Sequence, residues 1–150
     1  GSGLVGSEMC IRDRNYYKNF RSGVMKVSFA GPGMNLLICF LAECIMLLMM
    51  KLGLLTAGQP GYLFLYWIML YNVWFAFFNL IPVPPLDGSK ILEMVLPGKL
   101  AFAFHNFSYR YSFLLLLFLV FSGMIGRIIN PLAQFYTGTT IRLIASVLQM

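Results

Sequence analysis

Apolar residues in this chain come in long blocks separated by short polar or Gly/Pro-rich breaks. The first block, VSFAGPGMNLLICFLAECIMLLMM at residues 27–50, has a Gly-Pro-Gly break near its start and Lys51 after its end. A second, GYLFLYWIMLYNVWFAFFNLI at residues 61–81, is bounded by GQPG before it and PVPP after it, and is rich in the aromatics that favour membrane interfaces. Crossing a hydrocarbon core takes roughly 20 apolar residues, so both blocks are predicted to span. SKILEMVLPGK, residues 89–99, has apolar positions at helical spacing but ends in Pro-Gly, which predicts a short surface helix. A third span is predicted over YSFLLLLFLVFSGMIGRII, residues 111–129. After Asn130-Pro131, the polar residues Gln134, Thr137, Thr139, Thr140 and Arg142 interrupt the apolar pattern, so the tail reads as an interfacial helix or one packed on the bundle.

Composition agrees with this pattern. The 150 residues are 59% hydrophobic and 11% charged, and the mean hydropathy is +0.78. A soluble domain needs more charge to cover its surface. The expected fold class is all-α: a polytopic membrane protein with three transmembrane helices, a Pro-rich loop with a short surface helix, and a C-terminal interfacial helix. The opening GSGLVGSEMCIRDR fits neither an apolar signal core nor an amphipathic anchor. Its EMCIRDR resembles the translated end sequence of a transposase used to prepare sequencing libraries. Residues 1–14 are therefore expected to be a non-native prefix, with the membrane domain at 15–150.

The net charge of +6 does not depend on that prefix, where Arg12 and Arg14 balance Glu8 and Asp13. No basic stripe is interleaved with aromatics, so a nucleic-acid partner is not expected. The bilayer is the expected partner, and the cations set the topology. Lys18, Arg21 and Lys26 precede the first span, and Lys90, Lys99 and Arg110 lie between the second and third. By the positive-inside rule these six mark the cytoplasmic face, with spans running outward, inward and outward. That places AGPGMN, which opens the first span, and NLIPVPPLDG, which ends the second, at one membrane face. Cys39 and Cys44 lie in an apolar run without metal-site spacing and read as core thiols; Cys10 lies in the prefix.

Asp87 is the chemical anomaly. A carboxylate near a bilayer is costly unless paired, hydrated or bound to a cation. Pro82, Pro84 and Pro85 force extended backbone just before it, and such backbone is tolerated near membrane depth only where it is buried in protein or lines a polar cavity. On spacing alone, Asp87 caps a short helix starting around Gly88, helped by Ser89. Gly31 and Gly33 permit close helix approach around Pro32. Asn35, Cys39 and Glu43 recur at every fourth position, which predicts a buried polar stripe facing the bundle, with Glu43 a buried hydrogen-bonded or protonated acid.

NLIPVPPLDG, with AGPGMN before it, resembles the site-2 protease family of intramembrane zinc metalloproteases, in particular its small prokaryotic members. The resemblance covers the chain from Asn15 onward. It implies a Zn2+ ion held by two histidines of a HExxH helix and by the aspartate of the LDG motif, here Asp87. The fourth position would stay open for water, whose pKa zinc lowers, and the HExxH glutamate would act as general base. Asn79 matches an asparagine beside the metal and is expected to contact the substrate backbone or the oxyanion. Gly31, Pro32, Asn35, Pro82, Pro84, Pro85 and Gly88 would line the site.

The sequence contains no HExxH, and its single histidine, His105, lies in AFAFHNFSYR, which reads as a cytoplasmic loop. His105 is expected to pack or face water rather than bind metal. The simplest account is a protein cut short before the first span, so the chain as written is expected to be inactive. The complete protein is expected in a prokaryotic plasma membrane with its site near the cytoplasmic face, cleaving membrane-protein or membrane-anchored peptide substrates. Two other classes fit the pattern: a transporter or channel fragment whose Pro-rich loop is re-entrant and whose Asp87 binds a translocated ion, and a catalytically dead membrane scaffold. Oligomeric state leaves no signal in the sequence.

Overall fold

The computed structural model describes residues 2–149, with side chains from Phe20 onward. The non-native prefix expected at residues 1–14 falls outside the described side chains. The described residues form six helices and no strand: α1 (Ser2–Lys51), α2 (Pro60–Asn79), α3 (Asp87–Val95), α4 (Gly98–Arg110), α5 (Ser112–Phe121) and α6 (Met124–Leu148). The all-α expectation holds. Phe20–Lys51 of α1 and all of α2 are long and apolar enough to cross a membrane.

The expected break at Gly-Pro-Gly does not occur, because α1 runs through Pro32. A helical proline removes one backbone hydrogen bond and costs about 3 kcal/mol in water. Breaking the helix in lipid would leave several polar backbone groups unpaired, each at several kcal/mol, so continuing is the cheaper choice. α2 matches its predicted block closely. Pro60 occupies the first turn, where its missing N–H costs nothing. Its end at Asn79 follows from Pro82, which disfavours helical geometry at the preceding residue.

The turn between α1 and α2 carries Gly53 and Gly58 at φ +71° and +89°, and its Thr56 amide donates to the Gln59 side chain at 3.1 Å. So short a connection makes the two helices antiparallel neighbours. Cys39, Ala42 and Met46 of α1 are buried with Met69 and Val73 of α2.

The third predicted span is not one helix. α5 has ten residues, about 15 Å of helix, too short to cross. It stops at Ser122 and Gly123, where the glycine takes φ +67°. The Ser122 hydroxyl donates to the Leu119 carbonyl at 3.1 Å and accepts from the Met124 amide at 3.3 Å, so the break satisfies its own backbone. α4 and α5 are bent by 73° and make a third crossing only if taken as one broken span. AFAFHNFSYR, expected as a loop, is most of α4.

The tail takes the packed alternative. α6 starts inside the predicted third span, passes through Pro131, and buries Ile129, Ala133 and Ile144. Tyr136 donates to the Leu36 carbonyl at 2.9 Å, and the Lys51 ammonium donates to the Leu148 carbonyl. These two ties lay α6 along α1 in the same direction. Its polar residues do not expel it, because Thr137, Thr139 and Thr140 donate to carbonyls four residues back at 2.9, 2.7 and 2.9 Å.

Ile129 is fully buried, whereas Leu132 on the same helix is 44% exposed. Ile129→Ala should destabilise the fold by about 2 to 5 kcal/mol, read as a lowered Tm by circular dichroism in detergent. Leu132→Ala should change it little; equal effects would show that α6 is not seated as described.

Candidate functional site

The site forms where α2 ends and α3 begins. Leu80 and Ile81 close the last turn of α2 with amides on the Phe77 and Phe78 carbonyls, at 3.2 and 3.1 Å. Two tight turns follow, with the Val83 amide on the Ile81 carbonyl at 2.8 Å and the Leu86 amide on the Val83 carbonyl at 3.0 Å. The alternation of burial explains why this Pro-rich segment holds its shape. Ile81, Pro84 and Leu86 point inward, while Pro82 and Pro85 are exposed. None of the three prolines has an N–H to satisfy. The Pro84-Pro85 bond is cis.

Gly88 is the tightest point. A Cβ there would collide with the backbone carbonyls of Leu80 and Ile81, so the start of α3 rests directly on the end of α2. Beside it, fully buried Ser89 donates its hydroxyl to the Leu86 carbonyl at 2.7 Å. The expected capping role of Asp87 is corrected here. α3 begins at Asp87 itself, with Leu86 at the N-cap and no side-chain cap. Asp87 still favours the helix as a first-turn acid, through the partial positive charge of the N-terminus.

The Asp87 carboxylate points elsewhere. Its Oδ1 accepts from the Lys90 ammonium at 2.9 Å, and the two side chains are 31% and 45% exposed, so the pair contributes at most about 1 kcal/mol. The hydrogen bond to Asp87 holds the Lys90 ammonium above its ordinary range. Its Oδ2 faces α1: a Cβ built on Gly31 would lie 3.7 Å from it. The AGPG and LDG motifs therefore meet, as their common membrane face suggested.

Around this contact, Pro32 is buried, Asn35 is half-buried about one turn further along α1, and Asn79 is half-buried as the last residue of α2. The side chains of Asn35 and Asn79 make no hydrogen bond among the described residues. The Arg21 guanidinium donates to the Met94 carbonyl, a second tie between α1 and α3.

The surroundings of His105 were not anticipated from sequence. His105 Nδ1 lies 3.2 Å from Glu93 Oε1, joining α3 to α4, and the His105 ring sits 4.4 Å from that of Tyr109. The pairing spans twelve residues across a Pro-Gly turn, and periodicity gives no signal for it. Of the buried polar stripe expected at Asn35, Cys39 and Glu43, the last two are buried and Asn35 is half-buried. Cys39 and Glu43 are fully buried, and Cys39 Sγ lies 3.8 Å from Glu43 Oε1. Glu43 Oε2 has no partner among the described residues.

Zinc needs three or four protein donors in one place. No group of three or more His, Cys, Asp and Glu side chains among the described residues is arranged to hold a metal. Asp87 supplies one carboxylate, and His105 is engaged with Glu93. These residues alone do not make a zinc site.

Comparison with known proteins bears on this geometry. The family description "Peptidase family M50" matches residues 55–119, from the turn before α2 to near the end of α5, including the whole Pro-rich loop and Asp87. "Putative zinc metalloprotease YwhC" of Bacillus subtilis (strain 168) is 33% identical over 142 residues, which is 91% of this chain and 64% of that protein. "Putative zinc metalloprotease MJ0611" of Methanocaldococcus jannaschii is 36% identical over 45% of this chain and 32% of its own length. "Zinc metalloprotease MJ0392" of the same organism is 32% identical over 53% of this chain and 22% of its own length. No solved structure gives a significant match. Over less than half of its length the chain is similar to peptidase family M50, and over most of it to a relative named as a putative zinc metalloprotease. It spans just under two thirds of the first of these relatives and a third or less of the other two.

Gly88→Ala is expected to destabilise the chain by about 1 to 3 kcal/mol and to open the 82–86 turn to limited proteolysis, since the colliding atoms are backbone and cannot move aside. Gly98→Ala, where nothing lies within 4 Å of the added Cβ, is the control and should leave both measurements unchanged.

Proposed function

We propose that this chain is part of an intramembrane zinc metalloprotease that hydrolyses peptide bonds in or near the membrane-spanning segments of other proteins. The observation that carries the reading is the approach of the Asp87 carboxylate to Gly31, which puts a partly exposed acid against one membrane-length helix and just past the end of another. A stray surface acid would not need the Gly88 contact, the buried Pro84 and the inward-turned Leu86 that hold it there.

In this reading Asp87 is one metal ligand. The remaining protein ligands, the histidine pair implied by the resemblance, would come from outside these 150 residues. Asn79 and Asn35, with no hydrogen-bond partner among the described residues, offer carboxamides to an extended substrate backbone. Gly31, Pro32, Pro82, Pro84, Pro85 and Gly88 shape the wall. Lys90 would have to release the Asp87 oxygen it now holds when a cation takes that oxygen.

The cation distribution favours a cytoplasmic site. Arg21 and Lys26 near the start of the α1 span share a side with Lys90 and Lys99 after α2, whereas Lys51 marks the far end of α1. The protein is then a multi-pass component of a prokaryotic plasma membrane. The isolated chain, with one ligand, is inactive in this reading.

Metal content and turnover separate the two roles assigned to the site. In a longer form of the protein that cleaves a membrane-anchored reporter, Asp87→Asn should lower both zinc content, by metal analysis, and cleavage. Asn79→Ala should leave zinc in place and reduce turnover by about 100-fold or more, the usual effect of losing an oxyanion donor. Full zinc with unchanged cleavage in both variants would refute the assignment. The 150-residue chain alone should bind no stoichiometric zinc; finding it would show that the ligands are here.

A further inference from the structure

α4 is packed on one side only. Ser108 is buried, Ala101 is half-buried, and His105 on the same face is joined to Glu93 of α3. A second face repeats at helical spacing: Leu100, Ala103, Phe107 and Tyr111 are all exposed, with the Phe107 and Tyr111 rings 5.2 Å apart. Phe107 is 59% exposed and Leu100 57%. Beside this apolar stripe runs a polar one, Lys99, Asn106 and Arg110, also exposed. Neither Lys99 nor Arg110 is in an ion pair among the described residues.

What α4 is joined to fixes its surroundings. Only Tyr111 separates it from α5, SFLLLLFLVF, which is apolar on every side, has no buried residue, and exposes Phe113, Phe118 and Phe121 at 71%, 66% and 83%. A helix of that kind is solvated by acyl chains. The 73° bend at Tyr111 then turns α4 away from the direction of α5. An apolar stripe flanked by cations, lying across the end of a lipid-embedded helix, has the layout of an in-plane interfacial helix. Such a helix sinks its apolar side into the acyl boundary and extends its Lys and Arg to the headgroups.

We propose that the exposed side of α4 is a docking surface for the bilayer's anionic phospholipid headgroups, with Leu100, Phe107 and Tyr111 entering the acyl boundary and Lys99 and Arg110 contacting phosphate. Its packed side holds α3 through Glu93 and His105, so the same helix sets the height of Asp87 relative to the membrane surface. The proposal rests on the membrane-length helices and not on the protease reading, so either can fail without the other.

The test uses the full 150-residue chain in vesicles containing either a phosphatidylglycerol or a phosphatidylcholine analogue that carries a photoreactive group at the top of one acyl chain, with crosslinked residues mapped by mass spectrometry. α5 is the internal control, since acyl chains reach it whatever their headgroup. The phosphatidylglycerol probe should label Leu100, Phe107 or Tyr111, and label α4 several-fold more than the phosphatidylcholine probe, with equal labelling of α5. Lys99→Gln and Arg110→Gln should each reduce α4 labelling by roughly fivefold, the weight of one cation near an anionic surface, and leave α5 unchanged. Labelling of α5 without α4 would mean that water or another protein surface covers the stripe and would overturn the proposal. Equal α4 labelling by both probes, insensitive to the two substitutions, would overturn the anionic-headgroup assignment.

Discussion

A backbone amide or carbonyl left unpaired in lipid costs several kcal/mol, and much of this structure follows from avoiding that cost. α1 keeps its helix through Pro32 because losing one hydrogen bond is cheaper than exposing a broken turn. The gap between α5 and α6 closes on the Ser122 hydroxyl, which serves a carbonyl on one side and an amide on the other. Between α2 and α3, prolines with no N–H sit among short turns that pair the amides that remain.

That constraint also makes a site possible. A Pro-rich turn with no orphan donors can lie at the foot of a membrane helix and carry a carboxylate, because the turn itself incurs little desolvation cost. Gly88 lets α3 rest on the carbonyls of α2, and Gly31 opens α1 to the Asp87 oxygen. Both glycines act through the side chain they lack. The acid is held by backbone contacts, while its exposed bond to Lys90 contributes little and can be exchanged. The carboxylate is therefore rigid in its frame and weakly engaged at its tip.

The all-α class, the second span's limits, the meeting of AGPG with LDG, and the buried Cys39 and Glu43 were legible in the sequence, because apolar runs, prolines and fourfold spacing act locally. The shape of α4 to α6 was not. YSFLLLLFLVFSGMIGRII reads as one span by hydropathy, yet Ser122-Gly123 divides it, and the strong breaker at Asn130-Pro131 does not end α6. Hydropathy measures transfer from water, whereas a glycine at positive φ and a helix laid along α1 are decided by conformation and packing. The Glu93–His105 contact was hidden for the same reason, since it depends on the angle at which α4 returns to α3.

By itself, then, the sequence determined a helical protein with membrane-length apolar blocks, similar to peptidase family M50, and an acid set in a Pro-rich turn. Those properties are carried by residue type and short spacing, which act on the chain before it folds. Only the tertiary structure decided that Asp87 faces Gly31, that Glu93 pairs with His105, that residues 111–129 are not one helix, and that α6 lies along α1. Each of these joins residues far apart in the chain, and whether they meet depends on the packing of whole helices, which no short stretch of sequence encodes.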